Sequence, residues 1–427
     1  MKAESTFGLW GDILYSGTPT QWKVHEESIL LCEEGRVAGI FKQLPEKYKG
    51  VFVEDCRGAL ILPGLVDLHL HAPQYAFRGL SMDLELLDWL DRVTFPEEAK
   101  YEAEDYADTA YRQFVHGMTE GATTRACVFA TVHTPATLHL MDLLEGKGLP
   151  FWVGKVNMDR NCPKTLCEAS AEASLRDTRQ WLKACEGHYR NVKPILTPRF
   201  IPACSDELLA GLGALQDETG LPVQSHLSEN PGEVALVKKL CPQADGYADA
   251  YARFGLLGGE GRPTVMAHCV WPEPGEGERL AENGVYVAHC PGSNANLSSG
   301  IAPVRRYLKT RVRVGLGTDV AGGFSPSVFR AMADAVQHSK LRWRLVDDAD
   351  APLTLAEAFY MGTRGGGAFF GRVGAFEPGF AFDALVLEDK RLESPVALSL
   401  PKRLERAVYL SEERDIRQKY VQGKRVK

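Results

Sequence analysis

Two histidines separated by one residue give the sequence its first candidate for metal chemistry. His69 and His71 lie in the apolar segment 65–71. Because side chains on a strand alternate between its two faces, both imidazoles would point the same way. Two imidazoles side by side make half of a tetrahedral zinc site. Taken alone, the pair is equally compatible with two solvated surface histidines.

Two further candidate ligands belong to apolar segments later in the chain. His226 lies in segment 221–227, and Asp319 closes segment 312–319. If these segments are strands of one sheet, three imidazoles and one carboxylate meet, a ligand set that suits zinc first and iron second. One coordination position stays open for water, as a catalytic site requires. The predicted metal ligands are His69, His71, His226 and Asp319.

Three more titratable residues lie close to these segments. His268 is predicted to orient water at the metal rather than to be a fourth ligand, which would fill the open position; the alternative is a structural histidine. Glu229 could carry protons between nucleophile and substrate, or it could complement the dipole of a following helix, and the residues favour neither. His289 is predicted to support the loop after it, with substrate contact as the alternative.

An amide, a guanidinium and an aromatic ring could form a pocket for a flat polar ring. Gln74 supplies both a donor and an acceptor, Arg199 can donate to a carbonyl, and Phe200 can stack on a heterocycle. A surface amide, an ion-paired arginine and a core phenylalanine are the ordinary alternatives. From the residues alone, these alternatives are favoured.

The candidate residues need a scaffold that brings distant segments together. Eight apolar segments alternate with stretches of helical periodicity, which predicts an α/β fold, a parallel (β/α)8 TIM-like barrel. The polar candidates fall at the carboxyl tips of the strands, where such barrels place catalytic groups. The strand candidates are 65–71, 122–129, 150–157, 192–200, 221–227, 263–269, 285–290 and 312–319. The helix candidates are 103–117, 134–146, 165–186, 205–219 and 325–343.

Both ends of the chain have a different texture, with short strands separated by polar or glycine turns. The first sixty residues show it, and FEPGFAFDALVLED and RAVYLSEERDIRQKYVQGKRV return to it near the end. Neither end is long enough to bury a good core alone. We therefore predict one small β-sandwich domain from residues 1–62 plus 375–427, and a barrel from residues 63–374.

Composition and charge exclude several classes of protein. The 427 residues carry a net charge of −7, with 44% hydrophobic and 25% charged residues, the mixture of a soluble globular protein rather than a nucleic-acid binder. The sequence shows no secretion signal and no apolar run long enough to span a membrane. The ten scattered cysteines are therefore predicted to be reduced thiols in a cytoplasmic protein. Signatures of the serine hydrolase elbow, the phosphate-binding loop and the dinucleotide fingerprint are missing.

Several longer stretches resemble one family. PGLVDLHLHAPQ, HLSEN, MAHC, AHCPGSNANLSSG and GLGTDVAGG together resemble the amidohydrolase superfamily of metal-dependent hydrolases, in motif order and across nearly the whole chain. Within that superfamily, the resemblance is to the guanine deaminase family. HAPQYAFRGL, VGKVNMDRNCP, LTPRFIPACSDELL and QSHLSENPGEV are similar to that family's stretches.

The resemblance implies a barrel carrying a small β-sandwich and the hydrolysis of guanine to xanthine and ammonia. It implies one Zn2+ per subunit, with Fe2+ possible. Members with two metals bridge them with a modified lysine on the fourth strand, whereas here that strand's tip carries Arg199 and Phe200, and Lys193 lies at its other end. A homodimer without nucleic-acid or membrane partners is also implied.

The resemblance further assigns roles to individual residues. Catalysis falls to Glu229, His268 and Asp319. Guanine binding falls to Gln74, Arg199, Phe200, His226, Glu229 and Asp319. Two alternatives stay open: a related amidohydrolase that deaminates or dechlorinates another heterocycle, and a catalytically silent scaffold of the same fold. An intact ligand set together with Glu229 favours an enzyme over the scaffold.

Overall fold

The structure, a computed structural model, describes residues 6–392 and 394–427. Its chain begins with four long strands that belong to one sheet. β1 pairs antiparallel with β2 and parallel with β4, and β2 pairs antiparallel with β3. Their bounds are β1 Thr6–Thr18, β2 Gln21–Glu33, β3 Arg36–Phe41 and β4 Val53–Pro63.

Ten strands follow, and every pairing among them is parallel. They form sheets with the strand orders β5-β6-β7-β9, β8-β10 and β11-β12-β13-β14. The strands are β5 Leu65–His71, β6 Thr123–Phe129, β7 Trp152–Gly154, β8 Val156–Asn157, β9 Lys193–Pro194, β10 Thr197–Pro198, β11 Val223–Leu227, β12 Thr264–His268, β13 Tyr286–His289 and β14 Arg313–Leu316. All eight predicted strand segments match these positions. The third and fourth segments are each divided into two short strands, and in the fourth Pro194 and Pro198 have no N–H to donate to a ladder.

Helices alternate with these strands, as the α/β prediction requires. The fourteen α-helices of the described residues are α1 Leu86–Trp89, α2 Phe95–Ala99, α3 Glu104–Glu120, α4 Thr134–Lys147, α5 Ala171–Cys185, α6 Asp206–Thr219, α7 Pro231–Leu240, α8 Tyr247–Ala252, α9 Glu276–Glu282, α10 Pro291–Asn296, α11 Val304–Lys309, α12 Val328–Leu345, α13 Leu355–Tyr360 and α14 Leu400–Leu410. The predicted helices correspond to α3, α4, α5, α6 and α12. Among the described residues, no helix combines the length and the apolar character needed to cross a membrane.

Two of the differences from the predicted elements have a clear local reason. α5 begins at Ala171 rather than at 165 because the Ser170 hydroxyl accepts the N–H of Ala173 and caps the helix there. The prediction that the segment RAVYL is extended is wrong, because this segment forms the last turns of α14. The buried positions Leu400, Leu404, Ala407 and Val408 recur at three- and four-residue intervals, the period of a helix.

The last strands return to the sheet that the first strands began. β15 Ala384–Leu387, β16 Ile416–Val421 and β17 Lys424–Arg425 complete seven strands in the order β17-β16-β15-β4-β1-β2-β3. β15 lies antiparallel beside β4, so Ala384 pairs with Pro63. Both ends of the chain therefore contribute to one sheet, as the sequence texture indicated.

Buried charges connect this sheet to the parallel strands. Arg125 of β6 donates from Nε and Nη2 to the two carboxylate oxygens of Asp383, at 2.7 and 3.1 Å. Lys419 of β16 is fully buried, and its ammonium donates to the carbonyls of Met118, Gly121 and Thr123 beyond the end of α3. All ten cysteines are free thiols in this structure.

Candidate active site

The predicted metal ligands converge at the carboxyl ends of the parallel strands. β5 carries His69 and His71, β11 carries His226, and Asp319 follows β14; all four are buried. Oδ1 of Asp319 lies 3.1 Å from Nε2 of His69 and 3.5 Å from Nε2 of His71. The strand tips thus bring together residues that are far apart in the sequence.

Several ring nitrogens at this point have no adequate protein partner. Nε2 of His71 and Nε2 of His226 face each other at 3.1 Å. Nδ1 of His226 lies 2.6 Å from the Arg199 carbonyl and donates to it, so the lone pair of Nε2 is directed into the cluster. Nε2 of His69 and Nε2 of His268 are buried without any hydrogen bond. Lone pairs left without donors in a buried cluster fit a divalent cation.

Burial keeps these imidazoles neutral, which is the form that binds a metal. It lowers the pKa of His69, and it lowers those of His71 and His226 well below the ordinary value. Because a neutral ring offers a lone pair to a cation, the electrostatics of the site favour metal binding over protonation.

The backbone around Asp319 is fixed by its neighbours. Its N–H donates to the His69 carbonyl at 2.8 Å, and its φ of 46° lies in the left-handed region. Asp67, two residues before His69 in β5, accepts hydrogen bonds from the N–H and the hydroxyl of Thr318. The sequence analysis missed Asp67 because a carboxylate within an apolar strand gives no indication of its partner.

Two carboxyl groups lie near one ring nitrogen of His268. Its Nε2 lies 3.4 Å from Oε2 of Glu229 and 3.7 Å from Oδ2 of Asp319. Its Nδ1 lies 2.9 Å from the side-chain oxygen of Asn294 and donates to it, which directs the Nε2 lone pair toward the carboxyl groups. Asn294 belongs to the AHCPGSNANLSSG stretch, but nothing in the sequence marked it as the partner of His268.

The two carboxyl groups differ in protonation. Burial, reinforced by the carboxylates of Glu233 and Asp319, raises the pKa of Glu229 well above its ordinary value. Burial alone would also raise the pKa of Asp319, but the adjacent His69 and His268 lower it below the usual range. Burial thus favours the protonated form of Glu229, whereas the neighbouring imidazoles favour the ionised form of Asp319, an arrangement that suits an acid and a base acting on one substrate.

A pocket opens beside this cluster. Its walls combine the predicted residues with apolar side chains of α1, of the π-helical turn after it and of the loop after α10. The lining residues are His71, Gln74, Leu86, Trp89, Leu90, Arg199, Phe200, His226, Glu229, Leu297 and Asp319. Reasoning from the sequence missed the four apolar residues, because buried leucine and tryptophan give no chemical signal.

The two predicted polar contacts of the pocket are held by a third residue. Glu98 of α2 accepts a hydrogen bond from Nε2 of Gln74 at 2.9 Å. The same carboxylate accepts from Nη1 and Nη2 of Arg199 at 2.5 and 3.1 Å. Arg199 is therefore ion-paired, and its side chain also lines the pocket.

The remaining sequence candidates lie outside the pocket lining. His289 ends β13 in a buried position, and desolvation lowers its pKa to about 3. Its Nδ1 has no hydrogen-bond partner. Lys193 is exposed at the start of β9, at the opposite end of that strand segment from Arg199. The metal cluster therefore has no lysine from this strand segment beside it.

The fold and the cluster define a class of metal-dependent hydrolases. The family model of the amidohydrolase family matches residues 60–426. That family implies a TIM-barrel α/β fold and a divalent metal, in agreement with the parallel strands and the His/Asp cluster.

Individual relatives narrow the class. Guanine deaminase of Rattus norvegicus is 39% identical over 378 residues, covering 86% of this chain and 82% of that protein. Guanine deaminase of Escherichia coli is 34% identical over 416 residues, covering 94% of this chain and 91% of that protein. A crystal structure of guanine deaminase from C. acetobutylicum with guanine in its active site superposes with a TM-score of 0.95 at 43% identity, covering 98% and 99% of the two chains. The chain belongs to the amidohydrolase family and, within it, to the group formed by the guanine deaminases.

Proposed function

We propose that this protein hydrolyses guanine to xanthine and ammonia in this pocket. The observation that carries the proposal is the pair of carboxyl groups, of Glu229 and Asp319, that lie within 3.7 Å of Nε2 of His268, beside a cluster of buried ring nitrogens without a hydrogen-bond partner. The named relatives are guanine deaminases over most of the length of both chains, which supports guanine as the substrate.

The residues that would hold one divalent metal are His69, His71, His226 and Asp319. Their buried donor atoms, three neutral imidazoles and one carboxylate, suit zinc first and iron second. When bound, such a metal supplies hydroxide from water at neutral pH by lowering the pKa of that water. Exposed Lys193 cannot bridge a second ion from its position, which supports one metal per subunit.

The chain's own residues move the protons. Asp319, ionised and aimed into the cluster, takes the proton that water gives up. His268 orients the nucleophile and stabilises the charge that develops on oxygen. Glu229, whose protonated form burial favours, gives its proton to the ring nitrogen next to the carbon under attack. The amine then leaves as ammonia with the proton that Asp319 took from water. Glu229 assists this departure by taking the proton of the new hydroxyl group as it becomes the carbonyl of xanthine.

Recognition of the purine falls to the other side of the pocket. Arg199 and Gln74 would donate to the carbonyl oxygen and to the ring edge of guanine. Phe200, whose ring lies edge-on to that of His226 at 6.4 Å between centroids, would flank the purine plane. His226, Glu229 and Asp319 complete the predicted contacts with substrate.

The proposal includes a closed eight-stranded barrel from residues 63–374. A parallel bridge between Leu196 and Val223 joins the fourth strand segment to β11. At the other seam, the N–H of Asp319 donates to the carbonyl of His69, and the N–H of His71 donates to that of Val320. Hydrogen bonds at both seams support a sheet closed on itself.

The proposal also includes a β-sandwich from residues 1–62 plus 375–427. The rings of Phe7 in β1 and Tyr420 in β16 lie 5.4 Å apart between centroids. Since neighbouring strands lie about 4.8 Å apart, three intervals in a flat sheet would separate these strands by about 14 Å. The N–H of Val37 also donates to Phe380, just before β15. The sheet must therefore bend over on itself, which supports two packed layers. A cytoplasmic homodimer stays a prediction.

The test is release of ammonia from guanine by the purified chain. Activity should disappear on chelation and return with zinc, and a panel of adenine, cytosine and triazine substrates should react far more slowly. Rapid turnover of another heterocycle with none on guanine would contradict the substrate. Turnover that is unaffected by chelation would contradict the metal.

A further inference from the structure

Glu98 holds both polar recognition groups of the pocket from behind. Its two oxygens receive three donors: Nη1 and Nη2 of Arg199, and Nε2 of Gln74. All three residues are at least 97% buried, and the guanidinium also lies 5.0 Å from the ring centroid of Phe95. All three contacts are donors, and a carboxylate accepts them without having to place an O–H of its own, so this arrangement fits the ionised form of Glu98.

Two consequences follow from this geometry. First, Gln74 must present its NH2 group to Glu98, so its carbonyl oxygen faces the other way, where the N–H of Ala321 lies 3.3 Å from it. The amide orientation that substrate meets is thereby fixed. Second, the positive charge of Arg199 is neutralised inside the protein by a bidentate partner.

We propose that Glu98 is a specificity-determining residue that makes the recognition side of the pocket electrically neutral. A neutral pocket wall selects the uncharged purine and disfavours anions. Xanthine, the product, is a stronger acid than guanine because its additional carbonyl stabilises the conjugate base. The same ion pair therefore discriminates against the product anion. This inference rests on the proposed guanine deamination.

Other titratable groups near the ion pair do not supply the negative charge that balances the guanidinium of Arg199. Burial raises the pKa of the Tyr101 and Tyr111 phenols and lowers that of His133, so these neighbours of Glu98 are neutral near neutral pH. On the side of Arg199, the guanidinium donates from Nη1 and Nη2 to the two oxygens of Glu98. Glu98 is therefore the counter-ion of Arg199.

The experiment measures inhibition by xanthine against pH in the metal-loaded enzyme. Wild type and Glu98→Gln are compared with Glu97→Gln, which removes the adjacent carboxylate that pairs with Lys100 on the surface. In wild type and in Glu97→Gln, inhibition should weaken as pH rises and xanthine ionises. In Glu98→Gln, the KM for guanine should rise by about 10- to 100-fold while inhibition by xanthine strengthens with pH. An unchanged pH trend, with guanine and xanthine weakened equally, would reduce Glu98 to a structural role.

Two further variants keep the outcome decisive. Glu98→Asp retains the charge and should keep the wild-type pH trend even if KM rises; behaviour like that of Glu98→Gln would overturn the proposal. If Glu98→Gln does not fold, Arg199→Gln leaves Glu98 unpaired and should make xanthine inhibition fall more steeply with pH than in wild type, and an identical slope would overturn it. Wild type that binds purines without releasing ammonia from guanine would instead refute the proposed function.

Discussion

Replacing Glu229 by glutamine tests the proton transfer most directly. Glutamine has the same size, so its carbonyl can keep the 3.4 Å contact with the Ser299 hydroxyl, and the metal cluster is left intact. What disappears is the acidic proton that burial holds on Glu229. A positioned general acid contributes about 10²- to 10⁴-fold to a rate, or about 3–5 kcal/mol of transition-state stabilisation.

The expected result is therefore a kcat lower by this factor with a KM for guanine changed by less than about threefold. Ammonia release at saturating guanine measures the first quantity, and metal analysis of the same preparation excludes metal loss. Glu273→Gln is a suitable control because it removes a carboxylate that pairs with Lys238 outside the pocket lining. A kcat within about tenfold of wild type would refute the assignment of Glu229 as the acid.

The pH profile gives a second readout of the same residue. Since burial raises the pKa of Glu229, its protonated form persists above the ordinary carboxyl range and is lost as pH rises through the raised value. Wild-type kcat should therefore have an alkaline limb that comes from this group. The residual activity of Glu229→Gln should lack that limb, because the amide does not titrate. An identical limb in both proteins would assign it to another group.

Three other substitutions address the metal and the fold. His71→Ala should fail to regain activity when zinc is added after chelation, whereas wild type recovers; full metal content in the variant by elemental analysis would contradict the ligand assignment. Asp383→Ala leaves the buried guanidinium of Arg125 unpaired and should lower the free energy of unfolding by about 3–5 kcal/mol in denaturant titrations, with the exposed pair mutant Asp55→Ala changing little. Lys419→Met removes the ammonium that donates to three carbonyls, two of them in buried contacts, and should lower the free energy of unfolding by about 3 kcal/mol in the same assay. Lys424→Met, on the exposed β17, is its control, and equal effects of the two lysine variants would refute the reasoning.

The strands of the parallel sheets could be predicted because each lies in a largely apolar segment between polar turns. The polar tips His69, His71, His226 and Asp319 stood out against that background, which is why the cluster could be anticipated before its geometry was known. Helix boundaries depended on smaller features, such as the hydroxyl of Ser170, and α14 was missed because a short apolar run fits either period.

The residues that support the site could not be predicted, because their roles depend on side-chain hydrogen bonds to residues that are distant in the sequence. Glu98 is 101 residues from Arg199, and it follows Glu97, a half-exposed residue of the same type with no role in the pocket. Asn294 is 26 residues from His268, and only the fold brings its side-chain oxygen to Nδ1 of that histidine. One sequence names the residue types, but only the folded chain shows which carboxylate receives which donor.

Because both ends of the chain contribute strands to one sheet, that sheet can be completed only late in synthesis. β4 lies between β1 and β15, so its ladder on one side must wait until residues 384–387 have left the ribosome. Until then the nascent chain carries an open strand edge rich in apolar residues, including Leu60, Ile61 and Leu62, which are completely buried in the finished protein. The N-terminal strands therefore cannot complete this sheet before β15 has emerged, and a truncation before β15 leaves this apolar edge of β4 without its partner.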